Sequence, residues 1–324
     1  MVQHKAPLFF LLYLLCSQDP LLGNNHKTFK RALCIILTLF VVFAIVTVWG
    51  NVTLSVDTFL FETDKVNVES GYKIAHVSDY HNTDNIFLND AVFSSLEVEK
   101  PDAIVLTGDL IDSRKTDIEI AINFVSRLVE IAPVYYVTGN HECNVSIKSQ
   151  SAFDNMIVDL KALGVVVLRN ESIEIILQNN ETINLFGIND PYFHCEYESE
   201  VGVTTDSLCS LFNVDKSEFN VLLAHHPEQL DIYQLHTNPK LLCRKMKYTR
   251  LKAYCIFKGK KGSGNLTNIY NKALIAPDQG LFPEFTDGEY KSGDTTLIVS
   301  RGIGNSVIPL RVFCRPHLIY LEIK

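Results

Sequence analysis

Four short polar clusters hold the residue types that chemistry needs: Asp79-Tyr80-His81, Gly108-Asp109, Gly139-Asn140-His141-Glu142 and His225-His226-Pro227. Carboxylate, amide and imidazole in this mix suit a pair of borderline divalent ions such as Mn²⁺, Fe²⁺ or Zn²⁺. One carboxylate must be shared to hold two ions about 3.5–4 Å apart, and such a pair clamps a phosphate and lowers the pKa of a water between them. Singly the clusters say little, because Asp-x-His is common, Gly-Asp is a turn and Asn-His after glycine is an ordinary loop. Jointly they say more: they occur in order, each behind an apolar strand, at intervals long enough for a helical crossover.

The elements that must position them follow from the pattern. Tyr72 to Val77 reads as a strand ending at Asp79, and a helix is expected over Leu88 to Val98. Ala103 to Leu106 is a second strand, followed by a helix from about Ile118 to Ile131. Val134 to Val137 is a third, with a helix near Phe153 to Leu163 behind it. Strand then helix, three times over, indicates an α/β fold. The polar clusters lie just past the C-terminal strand ends, where open α/β sheets place their active sites. Further strands are expected at Val165 to Leu168, Ile173 to Leu177, Ile183 to Ile188, Val221 to Leu223, Thr296 to Val299 and Leu318 to Ile323.

These blocks resemble the calcineurin-like metallophosphoesterase family, whose motifs are D-x-H, G-D, G-N-H-[DE], a later H and G-H-x-H. The resemblance runs from about Tyr72 to Lys324. The tail, with Ala276-Pro277-Asp278-Gln279-Gly280 and Ser300-Arg301-Gly302-Ile303-Gly304-Asn305, is similar to a bacterial membrane-anchored branch acting at the cell envelope. It implies two mixed β-sheets packed as a sandwich flanked by helices, and a phosphoester or pyrophosphate hydrolase carrying two divalent metal ions. It further implies that Asp79 and His81 hold the first metal, that Asp109 bridges, and that Asn140 and His225 hold the second. His141 would act as the catalytic residue beside the metals, with a nearby carboxylate as its partner. The substrate implied is a phosphorylated small molecule or lipid-linked compound, with no nucleic acid.

The chain departs from the family pattern in one place. It contains no G-H-x-H, and between Ile232 and Lys272, where that motif belongs, there is no Asp or Glu. Nine basic residues fall between Lys240 and Lys261, and His236 is the one histidine of the segment. Good matches on either side point to a replaced segment, by a frameshift, a sequencing or gene-model fault, or a real insertion. The basic run reads as a solvated lysine-rich loop or, more sharply, as a phosphate- or headgroup-binding loop. Two readings of the chain stay open: a working two-metal hydrolase, or a catalytically impaired relative that keeps the fold and binds a phosphorylated ligand or partner.

Composition sets the remaining bounds. The net charge of −8 disfavours nucleic acid and anionic lipid as main partners. The eight cysteines form no CxxC pair, which argues against a thiolate zinc site. Ala32 to Trp49 is 18 residues without a charge; as a helix it spans about 27 Å, close to the hydrocarbon thickness of a bilayer. An earlier apolar run, Leu8 to Cys16, is too short to span and reads either as a signal-like segment or as an interfacial tail. The expected organisation is a cytoplasmic segment 1–31, a transmembrane helix 32–49, a linker with some strand character 50–70, and a catalytic domain 71–324. Lys27, Lys30 and Arg31 precede the span, whereas Asp57, Glu62 and Asp64 follow it. The positive-inside rule then places the large domain outside the cytoplasm. Protease added to intact cells should therefore degrade residues 51–324, and full protection would contradict this orientation.

Overall fold

The computed structural model describes residues 24–68, 71–215, 217–236, 241–245, 252–253, 275–276, 280–281, 287–292, 295–305, 311–312 and 314–324. The chain divides into two units, residues 1–49 and 50–324. The first is represented by helix α1, Asn24–Val52, which runs past the boundary. Within it Thr28–Val52 has a mean hydropathy of 2.8, and among the described residues it alone is long and apolar enough to cross a membrane. Ile36, Leu39 and Phe40 are exposed, unlike the side chains of a buried core helix.

The second unit is an α/β/β/α sandwich. Its elements begin with β1 (Ser55–Phe61), β2 (Tyr72–Val77), α2 (Ile86–Glu99), β3 (Ala103–Thr107), α3 (Ile118–Val129), β4 (Val134–Val137), α4 (Asn140–Lys148), α5 (Gln150–Ala162) and β5 (Val166–Val167). Then come β6 (Glu171–Ile176), β7 (Thr182–Gly187), α6 (Val201–Cys209), β8 (Asn220–Leu223), α7 (Leu230–His236) and β9 (Leu241–Lys245). Short pieces β10 (Lys252–Ala253), β11 (Ile275–Ala276) and β12 (Gly280–Leu281) precede β13 (Gly288–Ser292), β14 (Thr295–Ser300), β15 (Arg311–Val312) and β16 (His317–Ile323). One sheet has the order β1-β16-β2-β3-β4-β5 and the other β13-β14-β9-β8-β7-β6. Strands β2 to β5 are parallel, so their C-terminal ends share one edge.

Period-two alternation assigns the faces of each strand. In β3, Ile104 and Leu106 pack under the helices, while Ala103 and Val105 face the second sheet. In β4, Val134 and Tyr136 take the helix side, and Tyr135 and Val137 the inter-sheet side. Across the gap Val221 and Leu223 of β8 meet them, while Leu222 turns to the outer layer with Tyr233. Both faces are buried, which is why these strands are near-continuous apolar runs. Helix α2 buries Leu88, Val92, Phe93 and Leu96 on one stripe, and the Asn85 side chain caps it by accepting from Leu88 N–H at 3.2 Å. Helix α3 starts the same way, with Asp117 accepting from Ile120 N–H.

Two stretches differ from the sequence-based expectation. Residues 50–70, expected as a linker with some strand character, contribute β1, an edge strand paired in parallel with β16 over its whole length. Its period is hard to read because Val56 and Leu60 are apolar yet exposed, while Ser55 and Asp57 on the opposite face are polar. The segment 232–272, expected as a solvated loop, contributes β9, which pairs with both β8 and β14 inside the second sheet. Its lysines and arginines mask a strand that backbone pairing dictates. The rest of that segment, apart from 232–236 and 252–253, lies outside the described residues.

Ile74 is fully buried between the two sheets. Ile74→Ala should cost about 2–5 kcal/mol of stability, against about 1 kcal/mol for removing the Asp117 cap. Denaturant titration of the two variants checks the ranking.

Candidate metal centre

The clusters predicted from the strand ends converge at one edge of the sandwich. The turns after β2 and β3 are zipped together by their backbones: Asp79 N–H donates to Gly108 O (3.1 Å), His81 N–H to Asp109 O (3.0 Å) and Asn82 N–H to Leu110 O (2.9 Å). That pairing forces left-handed backbone on four side-chain-bearing residues, Asp79 (φ 53°), His81 (φ 49°), Asn82 (φ 37°) and Asp109 (φ 53°). Such conformations cost about 1–2 kcal/mol each outside glycine and persist where surrounding structure enforces them. Gly108 (φ 81°) has no alternative, since a Cβ there would lie 2.6 Å from His225 Nδ1 and 2.7 Å from Gly139 Cα.

Asp79, His81 and Asp109 are all buried, and their ligand atoms lie within 4.8 Å of one another. His81 Nε2 is 3.3 Å from Asp79 Oδ1 and 3.7 Å from Asp109 Oδ2. Neither ring nitrogen of His81 has a hydrogen-bond partner among the described residues. A buried, unsatisfied imidazole is costly, and a cation between it and the two carboxylates would satisfy all three groups. The residues present therefore fit a divalent ion.

On the other side of Asp109 stand His225 and Asn140. His225 Nδ1 lies 2.8 Å from Thr107 O. A carbonyl only accepts, so Nδ1 carries the proton and the neutral ring turns its Nε2 lone pair toward the centre. Nε2 faces Asp109 Oδ1 at 3.4 Å and Asn140 Oδ1 at 3.2 Å, three acceptors turned toward each other. Asp109 thus presents Oδ2 to His81 and Oδ1 to His225, and His141 N–H donates to Oδ1 at 2.9 Å.

His141 sits beside this centre, its ring 4.6 Å from that of His81. Ser113 N–H donates to His141 Nδ1 (2.9 Å), so the neutral ring carries its proton on Nε2. The nearby carboxylate expected for it is Asp112, whose Oδ1 is 3.9 Å from His141 Nδ1 and whose Oδ2 is 4.0 Å from His81 Nδ1. Backbone N–H groups of Arg114 and Lys115 fix Asp112.

Two buried acids have no role assigned from the sequence, although Glu142 lies inside one of the clusters. Glu142 accepts from the backbone N–H groups of Gly139 (2.7 Å), Asp109 (2.9 Å) and Ile111 (3.2 Å), tying two site-bearing turns together. Burial, and then the Asp109 charge, push its pKa up to about 7. Its signal was the acid three residues after Gly139, a helix-start position. Asp190 binds His226 Nε2 at 2.9 Å, and Glu228 takes Nδ1 at 2.9 Å. Burial pushes the His226 pKa down, but the two acids outweigh it and raise it to about 9. His226, left out of the predicted ligand set, is thus held between these two acids. His236 is not brought to the centre; its Nε2 binds Asp206 Oδ1 of α6 at 2.7 Å.

Comparison with known proteins agrees with this geometry. Residues 72–256 match the calcineurin-like phosphoesterase family. The chain is 27% identical over 281 residues to an uncharacterized metallophosphoesterase of Aquifex aeolicus, covering 84% of this chain and 92% of that one. It is 25% identical over 259 residues to an uncharacterized metallophosphoesterase of Bacillus subtilis, covering 78% and 79%. A transmembrane protein with a metallophosphoesterase domain from Bos taurus is 26% identical over 231 residues, covering 69% of this chain and 46% of that protein. Strand-end carboxylates and imidazoles, the mixed two-sheet fold and the match over 72–256 agree: the chain belongs to the calcineurin-like phosphoesterase family.

Proposed function

We propose that this chain hydrolyses phosphoesters or pyrophosphates at the cell envelope, using two divalent ions of the Mn, Fe or Zn type. One observation carries the reading: Asp109 lies between two sets of inward-facing ligands, with the otherwise unsatisfied imidazole of His81 on one side. When bound, such ions polarise a phosphoryl oxygen and acidify water at the site. Asp79 and His81 hold the first position, Asn140 and His225 the second, and Asp109 both. Thr107 O fixes the His225 ring, so its Nε2 needs no reorientation. His141 presents Nε2–H as a donor toward the phosphoryl or leaving oxygen. The apolar helix α1 and the net charge of −8 favour a lipid-linked or small phosphorylated substrate over nucleic acid. The N-terminal helix holds the catalytic domain at the membrane.

The absent G-H-x-H favours a second reading, a relative that keeps the fold and binds a phosphorylated ligand with impaired turnover. The two readings separate on metal content and on turnover of a chromogenic phosphodiester. Asp109→Asn should release all of the bound metal rather than only that at the weaker position, and lower any turnover more than about 100-fold, since lost outer-shell partners alone cost about 10–100-fold. Elemental analysis showing one ion retained at full occupancy would refute the bridging role.

The unaltered chain should bind fewer than two equivalents, because the second position lacks the imidazole that the missing motif would supply. Replacing residues 246–272 by a family segment carrying Gly-His-x-His, with β9 left intact, should bring the content to two and raise turnover at least about 10-fold. Two equivalents and equal turnover before the graft would show that the segment is no defect.

A further inference from the structure

Arg311 is wholly buried, an unusual place for a guanidinium. Most of its hydrogen bonds go to one turn, while Nη1 donates to Cys314 O (3.4 Å). Nε donates to Asn305 Oδ1 (2.8 Å), and Nη2 donates to the carbonyls of Gly302 (3.2 Å), Ile303 (3.2 Å) and Gly304 (2.7 Å). Three successive carbonyls on one nitrogen require them to point the same way. The N–H groups of the turn point toward the metal centre instead: Ile303 N–H donates to Ser78 O (2.9 Å) and Gly304 N–H to Asp79 O (2.6 Å). The turn is therefore held between Arg311 and the backbone that carries Asp79.

The contact is close. Gly302 has φ +72°, and a Cβ there would lie 2.5 Å from Asp79 Cβ and 3.0 Å from its Cγ. A Cβ on Gly304 would run into Tyr80 O. Asp79 keeps its left-handed φ because it is gripped from two sides, through its N–H by Gly108 O and through its carbonyl by Gly304 N–H. Loosening the turn would free one of those grips. An ordinary φ at Asp79 would swing its carboxylate away from His81.

We propose that Arg311 is a positioning residue for Asp79, acting through the Gly302–Gly304 turn; the proposal rests on the reading of Asp79 as a metal ligand. Lysine cannot replace the fork, because one ammonium cannot serve the Asn305 oxygen and three carbonyls in these directions. Asn305 Nδ2 also donates to Asn51 Oδ1 at the end of α1 (2.8 Å), so the test uses the full-length chain in detergent micelles.

Mn²⁺ is titrated into metal-stripped wild type, Arg311→Lys, Asn305→Ala and Asp79→Asn, and backbone amide exchange over 78–81 is followed without metal. Arg311→Lys should bind Mn²⁺ about 10–100-fold more weakly while still folded, with faster exchange at 78–81. A merely structural arginine would lower the melting temperature and leave the affinity and exchange of the folded protein unchanged, which would overturn the proposal. If Arg311→Lys does not fold, Asn305→Ala decides, since it removes the Nε acceptor and keeps the buried charge; wild-type affinity and exchange there overturn the proposal as well. Wild-type affinity in Asp79→Asn would refute the ligand reading itself, and with it this proposal's effect on metal; normal affinity in Arg311→Lys beside a loss in Asp79→Asn refutes the positioning role alone.

Discussion

The centre depends on how three buried carboxylates, Asp79, Asp109 and Glu142, stay together in one place. Each is almost fully removed from solvent. Like charges at such separations repel strongly when water does not screen them, and each carboxylate also loses its hydration. Glu142 answers by accepting three backbone N–H groups, and burial with Asp109 nearby raises its pKa to about 7. Asp79 and Asp109 have His81 between them, and that ring donates to neither at hydrogen-bonding geometry. A cation between His81 and the two carboxylates would offset their charge, and the surrounding chain fits one.

This arrangement costs backbone energy, and the sandwich supplies the rigidity that tolerates it. The turns after β2 and β3 could relax from their left-handed conformations if the strands behind them could slide. They cannot, because β2, β3 and β4 are buried on both faces and registered pair by pair. Gly108 lets the β3 turn pass beneath His225, and Glu142 ties it to the next turn. Three elements of secondary structure thus fix one carboxylate.

The strand ends were legible because a double-faced apolar run stops abruptly at a polar cluster, and three such stops in order leave little ambiguity. Strands β2 and β4 lie where the pattern put them, Tyr72–Val77 and Val134–Val137. Edge strand β1 was hidden because its exposed side carries the apolar Val56 and Leu60 and its other face the polar Ser55 and Asp57, and β9 because Arg244 and Lys245 suggest solvent. The role of Glu142 was hidden for another reason: its work is done on backbone N–H groups of turns that no linear pattern places side by side. Arg311 was hidden likewise, since its partners are carbonyls. Sequence spacing shows side chains that must converge on a ligand, but not those that must converge on backbone.

The same distinction bears on the two ion positions proposed above, which are unequal in charge. The first is faced by two carboxylates, Asp79 and Asp109, and one imidazole, His81. The second has only its share of Asp109, together with the neutral side chains of Asn140 and His225. At close range each carboxylate contributes far more attraction for a dication than a neutral donor does. The absent motif would have added neutral imidazoles, which matter least where charge is already ample. Its loss therefore falls mainly on the second position, and nothing among the described residues offsets it there, because His236 is held by Asp206. On the two-ion reading proposed above, such a chain keeps a well-formed first position beside a weakened second, with Asp109 turned toward both.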